Sequence, residues 1–274
     1  MWNKRLLTAL KYIILTVAAL IGLVPFILLV LTSIKTSPDA FSMPPKWIFI
    51  PTLKNYIVHI KDIEIIDTIK NSLIIAGSST LISTFLGVFS GYALTRFVFR
   101  GNRILTQSIL WLRMIPPIVL VIPYFVIFGK LKMYDTYLAL IAVYITITLP
   151  LITWMMFSFY REIPIEIEEA ALVDGCNRWT ALRYIIIPAV VPGIFAASSL
   201  SFIYVWNEFI YAMFLTGKTT RTLPVEMYNA IGFYALDWSK LTSLAVIAII
   251  PAIIFISLTQ KYIVRGLTMG AVKG

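Results

Sequence analysis

Hydrophobic positions in this chain are gathered into long unbroken runs rather than into the one-sided stripes of a soluble helix. A helix needs about 20 apolar residues to cross about 30 Å of hydrocarbon. The first run of that length covers 12–31 and follows the basic residues Lys4, Arg5 and Lys11. Others fall near 68–95, 104–128, 136–159, 190–215 and 241–262. The pattern predicts an all-α membrane protein with six transmembrane helices. The first run is longer than a signal-peptide core and no small-x-small cleavage site follows it, so 12–34 is read as a membrane anchor. The remaining five spans form a core over 68–262, and with no internal repeat the whole of 1–274 reads as one transmembrane domain.

Composition sharpens this picture. Hydrophobic residues make up 59% of the chain and charged residues 13%, about half the charged share of a soluble domain, too little polar surface to cover the chain in water. The net charge of +10 does not point to nucleic acid, because basic residues flanking apolar runs orient a membrane protein. Segments that are internal if the N-terminus is cytoplasmic hold twelve Lys and Arg, including eight of the ten Arg. The outer segments hold ten, diluted over a long acidic stretch at 35–67. Both termini are therefore expected in the cytoplasm of a cell with this chain in its plasma membrane. One Cys (Cys176) and one His (His59) leave no disulfide framework and no metal-ligand cluster.

Within 68–95, Gly87 and Gly91 form a G-x-x-x-G in a span rich in small residues, which predicts a close helix–helix seam. The loop between the fourth and fifth spans, within 160–190, has the grammar of a short free-standing helix over 164–174. Pro164 suits its first turn, Glu166, Glu168 and Glu169 complement the positive end of its dipole, and Gly175 suits the left-handed residue after its end. Asn177 is placed to cap a second helix running to Pro188 and Pro192. A short acidic helix with a low profile at Ala170, Ala171 and Gly175 is built to dock into a groove on a cytoplasmic partner. A helix lying on anionic lipid would carry Lys and Arg instead.

Glu169-Ala170-Ala171, Asp174-Gly175 and Pro188 closely resemble the EAA loop of ABC importer permeases. The resemblance narrows to the carbohydrate-uptake group, and to its maltose-type second permease subunit. It does so through Trp206-Asn207-Glu208-Phe209, through Met114-Ile115-Pro116-Pro117 with Ile122-Pro123-Tyr124, and through the tail from Tyr262 to Gly274. Cys176 departs from the usual small residue. The resemblance implies the type I importer fold and a complex with a second, homologous permease, two ATPase subunits and an external sugar-binding protein. Glu166, Glu169, Ala170, Ala171, Asp174 and Gly175 would then couple to the ATPase. The cytoplasmic tail 263–274, with Arg265, Gly270 and Lys273, would extend beside the ATPases. No phosphate-binding G-x-x-x-x-G-K-[ST] occurs, so this chain is expected to hold no cofactor, with ATP and Mg bound by the partner.

Two charges, Arg113 and Glu208, fall inside predicted spans, where an ionisable group costs roughly 2.5–3.5 kcal/mol and is a functional candidate by default. With Tyr204, Trp206 and Asn207 they are candidates to line the substrate path; aromatic faces with amide and carboxylate suit sugar hydroxyls. Whether Arg113 and Glu208 pair is left open. The alternatives are a permease for a non-sugar solute such as glycerol phosphate, a polyamine or a peptide, a secondary transporter, and a membrane-embedded enzyme. No inverted repeat favours the second, and no nucleophile–base set favours the third.

Overall fold

A computed structural model describes residues 2–231 and 237–269, with backbone alone at 2–5 and 263–269. The elements in order are α1 (Trp2–Ser33), α2 (Ser37–Ala40), α3 (Lys54–Lys61), α4 (Ile63–Arg96), α5 (Asn102–Arg113), α6 (Pro117–Lys130) and α7 (Tyr137–Glu162). They continue with α8 (Ile165–Val173), α9 (Arg178–Ala181), a π-helical turn (Leu182–Ile186), α10 (Ile187–Trp206), α11 (Ile210–Leu215), α12 (Leu223–Asn229) and α13 (Trp238–Met269). Among the described residues, five helical stretches are long and apolar enough to cross a membrane: Leu6–Ser33, Ile63–Arg96, Tyr137–Glu162, Arg178–Trp206 and Trp238–Tyr262. Taken together, the pair α5 and α6 is also long and apolar enough to cross, bent by 95° at the break.

Two of these crossings differ from the unbroken runs the sequence predicts. At 104–128 the helix stops at Arg113 and restarts at Pro117. Pro116 sits at φ −60°, ψ 136°, the extended conformation imposed on a residue that precedes proline, so the Pro116–Pro117 pair forces the break. The fifth crossing starts earlier than 190 and ends earlier than 215. Asn177 caps it, accepting from the Thr180 N–H at 2.8 Å. The helix then passes through the π-turn before Pro188, where the Ile187 N–H bonds the Leu182 carbonyl. A proline ring crowds the carbonyl four residues earlier, and one widened turn relieves it. The span ends at Trp206, and a separate short helix begins at Ile210. The tail also differs, since α13 continues as helix through Met269 rather than ending near 262. Gly270 and Lys273 lie outside the described residues, as does the Arg265 side chain.

The chain divides into two compact units. The first comprises 1–66 and 227–250. Here Asn55 donates to the Ser33 and Lys35 carbonyls at 3.0 Å each, tying α3 to the end of α1. His59 meets the Ser243 hydroxyl at 2.9 Å and Ser37 donates to Asp237 at 2.9 Å, which fix α3 and α2 to the start of α13. From Leu6 onward the apolar side chains of α1 are largely exposed, a surface that belongs in lipid.

The second unit, 67–226 with 251–274, is a helix bundle whose core is Val88, Tyr92, Ile152, Met156, Tyr160, Leu182, Ile186, Val190 and Ala197. The predicted glycine seam lies between α4 and α7. A Cβ built on Gly87 would fall 2.5 Å from Ile152 Cγ2, and one on Gly91 would fall 2.6 Å from Met156 Cβ and 3.0 Å from the Phe157 backbone N. Hydroxyl pairs line the same seam, Ser83 with Thr148 and Ser90 with Thr153, both at 2.7 Å. Each such bond between helices adds only about 0.6 kcal/mol, so close backbone packing carries the seam. Gly91→Leu is therefore expected to destabilise the protein by about 1–3 kcal/mol through overpacking. A lowered melting temperature of the purified protein in detergent would show it, and an unchanged one would contradict the seam.

Candidate functional site

The loop helix α8 has nine residues, too few to be stable alone in water, where about 12–15 residues are needed. Three devices hold it. Pro164 caps its start, with Glu166 and Glu168 in the first turn against the positive end of the dipole. Its end is a Schellman turn: the Cys176 N–H bonds the Ala171 carbonyl at 3.0 Å and the Gly175 N–H the Leu172 carbonyl at 3.1 Å. Gly175 takes φ +88°, where a side chain would be strained.

The third device is a buried ion pair. Arg96, at the C-terminal end of α4, donates from Nε to Glu168 at 3.0 Å, and both side chains are about 95% buried. Its Nη2 donates to the Ile163 carbonyl at 2.9 Å, and Tyr92 completes the set through a short hydrogen bond from its hydroxyl to Glu168. At 34 residues α4 is about 51 Å long against a hydrocarbon core of about 30 Å, so it projects beyond the membrane and carries Arg96 to the loop.

This inward anchor divides α8 into two faces. Glu166, Glu169, Ala170, Asp174 and Gly175 are exposed on the outer one. Ala171, expected among the docking residues, is 6% exposed and belongs to the inner face with Glu168, one turn away. From the sequence, Glu168 is expected only to complement the helix dipole, not to anchor the helix. Three glutamates within four residues look alike, and only the packing of α4 decides which one turns inward.

The path candidates separate in the same way. Arg113 and Tyr204 line one cavity of about 250 Å³, together with Tyr124, Thr146, Thr148 and Tyr211. Arg113 stands beside the break between α5 and α6, which opens the wall there. Tyr124 donates to or accepts from Thr146 at 2.8 Å and packs edge-on to Tyr211 with centroids 5.8 Å apart, so the wall is aromatic with hydroxyls at its edge. Asn207 is exposed, its amide donating to the Ile203 carbonyl at 2.8 Å. Trp206 and Glu208 are corrections to the expected path. Trp206 is 4% exposed and stacks on Phe202 at 5.9 Å. Glu208 is 8% exposed, accepts from the Tyr144 hydroxyl at 2.7 Å, and takes the Tyr211 N–H at the start of α11 at 3.1 Å. Committed to capping a helix inside the bundle, the Glu208 carboxylate makes no ion pair with Arg113 among the described residues.

Asp135 was not predicted. It sits between α6 and α7 at φ 57° and gathers the Gly217, Thr219 and Thr220 N–H groups and the Thr220 hydroxyl at 2.7–3.0 Å, binding the end of α11 to that loop. Burial alone would raise its carboxyl, but the hydrogen bonds from Thr220, Thr219 and Gly217 outweigh burial and hold it at about 2.

An α-helical bundle with broken crossings and a short acidic helix anchored outside it defines a polytopic transport permease. The chain belongs to the family described as the binding-protein-dependent transport system inner membrane component, whose profile matches residues 83–269. It is 36% identical over 275 residues to the trehalose/maltose transport system permease protein MalG of Thermococcus litoralis, covering 99% of this chain and 98% of that protein. It is 33% identical over 267 residues to the sulfoquinovosyl glycerol transport system permease protein SmoH of Agrobacterium fabrum, covering 97% and 94%. A crystal structure of a bacterial ABC transporter involved in the import of alginate matches with a TM-score of 0.76 at 21% identity, over 95% of this chain and 97% of that one, and shares its fold.

Two outcomes follow from these contacts. Removing one partner of a buried pair costs about 3–5 kcal/mol. Arg96→Ala should therefore release α8, seen as new proteolytic cleavage within 160–178, and the exchanged pair Arg96→Glu with Glu168→Arg should restore part of the protection. For Asp135, a folded-state value below the ordinary ~3.9 means its contribution is present above about pH 4 and is lost as pH falls through about 2. Amide protection at Gly217, Thr219 and Thr220 should fall over that window, and Asp135→Ala should remove it at neutral pH.

Proposed function

We propose that the whole chain acts as one translocation subunit of an ATP-driven, binding-protein-dependent importer that carries a mono- or oligosaccharide into the cytoplasm. The observation that carries this reading is α8, a short helix whose acidic outer face is presented while Glu168 fastens its inner face to α4. The named relatives that transport trehalose, maltose and a sulfoquinovosyl glycerol support the substrate class.

In this reading the N- and C-termini are cytoplasmic, as the distribution of arginines favours. The outer face, Glu166, Glu169, Ala170, Asp174 and Gly175, seats in a groove of an ATPase subunit, which binds ATP and Mg; this chain holds no cofactor and performs no hydrolysis. Arg265, Gly270 and Lys273 extend toward the same ATPases. A second, homologous permease completes the path, and an external binding protein delivers the sugar. Arg113, Tyr204 and Asn207 contribute this chain's side of that path, where the broken crossings leave hydroxyls and a guanidinium free of lipid.

The test is transport by the assembly reconstituted with its binding protein. Glu169→Lys and Gly175→Leu should each lower uptake at least tenfold while membrane insertion is retained, the first by reversing a docking charge, the second by straining the left-handed turn. Uptake of di- and trisaccharides, with glycerol phosphate and a polyamine as competitors, tests the substrate. Normal uptake by the doubly substituted protein would rule out α8 as the coupling element.

A further inference from the structure

A second cavity, of about 520 Å³, lies where α4 ends, α5 begins and α7 ends. Its chemistry changes with depth. At the helix ends stand Arg103, in the first turn of α5, and Arg161, in the last turn of α7. Further along the same helices the wall is Leu110, Trp154 and Phe157, with Leu94 from α4. Trp154 and Phe157 stack at 5.7 Å, and the Arg161 guanidinium lies 5.6 Å from the Phe157 centroid.

Most polar groups of this cavity are already committed to backbone. Thr95 donates to the Gly91 carbonyl, Asn102 to those of Leu94 and Phe97, and Thr106 to that of Asn102. What remains is the Gln107 amide and two guanidiniums. Arg103 and Arg161 have no ion-pair partner among the described residues, and no Asp or Glu lines the cavity. One amide with no carboxylate beside it is little for a neutral sugar, and a cation would be repelled. The complement of two guanidiniums above an apolar, aromatic wall at the membrane boundary is a phosphate joined to a hydrocarbon chain.

We infer that this cavity is a binding site for one anionic phospholipid. Its phosphate sits between Arg103 and Arg161, and an acyl chain lies along Leu94, Leu110 and Phe157. The occupied site touches the end of α4 that presents Arg96 and the end of α7 that leads into α8. Bound lipid would thereby brace the root of the loop helix. This inference rests on membership of a membrane family and on the cavity, not on the substrate or on the docking of α8.

The test is lipid retention by the full assembly extracted from its own membrane and read by native mass spectrometry, so transport is not needed. Delipidated assembly is titrated with phosphatidylglycerol, with phosphatidylcholine, and with soluble glycerol phosphate. Tight uptake of one phosphatidylglycerol, not matched by the other two, is expected. Arg103→Gln with Arg161→Gln should weaken it roughly thirtyfold for the two charges together. Arg100→Gln, a matched change at an exposed position outside the cavity, should leave it unaltered. Leu110→Trp, which fills the apolar wall and keeps both charges, should also expel the lipid. Equal retention in the double variant and in Leu110→Trp would overturn the site. Binding of glycerol phosphate as tight as that of phosphatidylglycerol would overturn the lipid assignment.

Discussion

The Arg96–Glu168 pair is the contact on which the arrangement of the loop helix depends. A nine-residue helix outside a bundle has too few internal hydrogen bonds to define its own position. Its capping turns set where it begins and ends, but not which way it faces. The orientation comes from one carboxylate drawn under the helix by a guanidinium on α4 and a phenol one turn before it. Once Glu168 is fixed, helical geometry places Ala171 on the same inner side and leaves Glu166, Glu169 and Ala170 outward.

Magnitudes give this arrangement a mechanical meaning. Breaking one partner of the buried pair costs about 3–5 kcal/mol, whereas an exposed carboxylate such as Glu169 gains at most about 1 kcal/mol from a partner's charge. A force on the outer face therefore moves α8 together with α4 before it separates them. The same α4 packs backbone to backbone on α7 at Gly87 and Gly91, and shares a core with α10. Motion at the loop has a stiff route into the bundle, because interiors packed at this distance shift as units and do not deform smoothly.

The sequence made much of this legible, and its failures have definite physical causes. Hydropathy located every crossing because lipid demands long apolar runs. The loop helix was readable because caps and dipole charges are local signals, and the glycine seam because only small residues allow such approach. Hydropathy has no term for backbone geometry, so the breaks at Pro116 and Asn207 were smoothed into continuous spans. A charge inside a span reads as path-lining from sequence; the structure sets Arg113 in a cavity wall and buries Glu208 in the bundle. The difference is tertiary: Tyr144 comes from another helix 64 residues away, and α11 begins beside the carboxylate only because the span breaks there. Ala171 was misplaced for the same reason as Glu168 was overlooked, since the inner face of α8 is defined by a residue on α4.

The breaks and the buried carboxylates belong together. A helix interrupted inside a membrane exposes N–H and C=O groups that hydrocarbon cannot satisfy, and each would cost several kcal/mol. Glu208 answers part of that demand by accepting the Tyr211 N–H at the start of α11, and Asp135 does the same for Gly217, Thr219 and Thr220 beyond its end. With those groups satisfied, α11 can remain a short separate element instead of fusing with α10. At the other break Pro117 has no N–H to satisfy, and Arg113 lines a cavity whose wall mixes hydroxyls with apolar side chains. Each interruption is thus stabilised by chemistry of its own, carboxylates at one and a proline pair beside a cavity at the other.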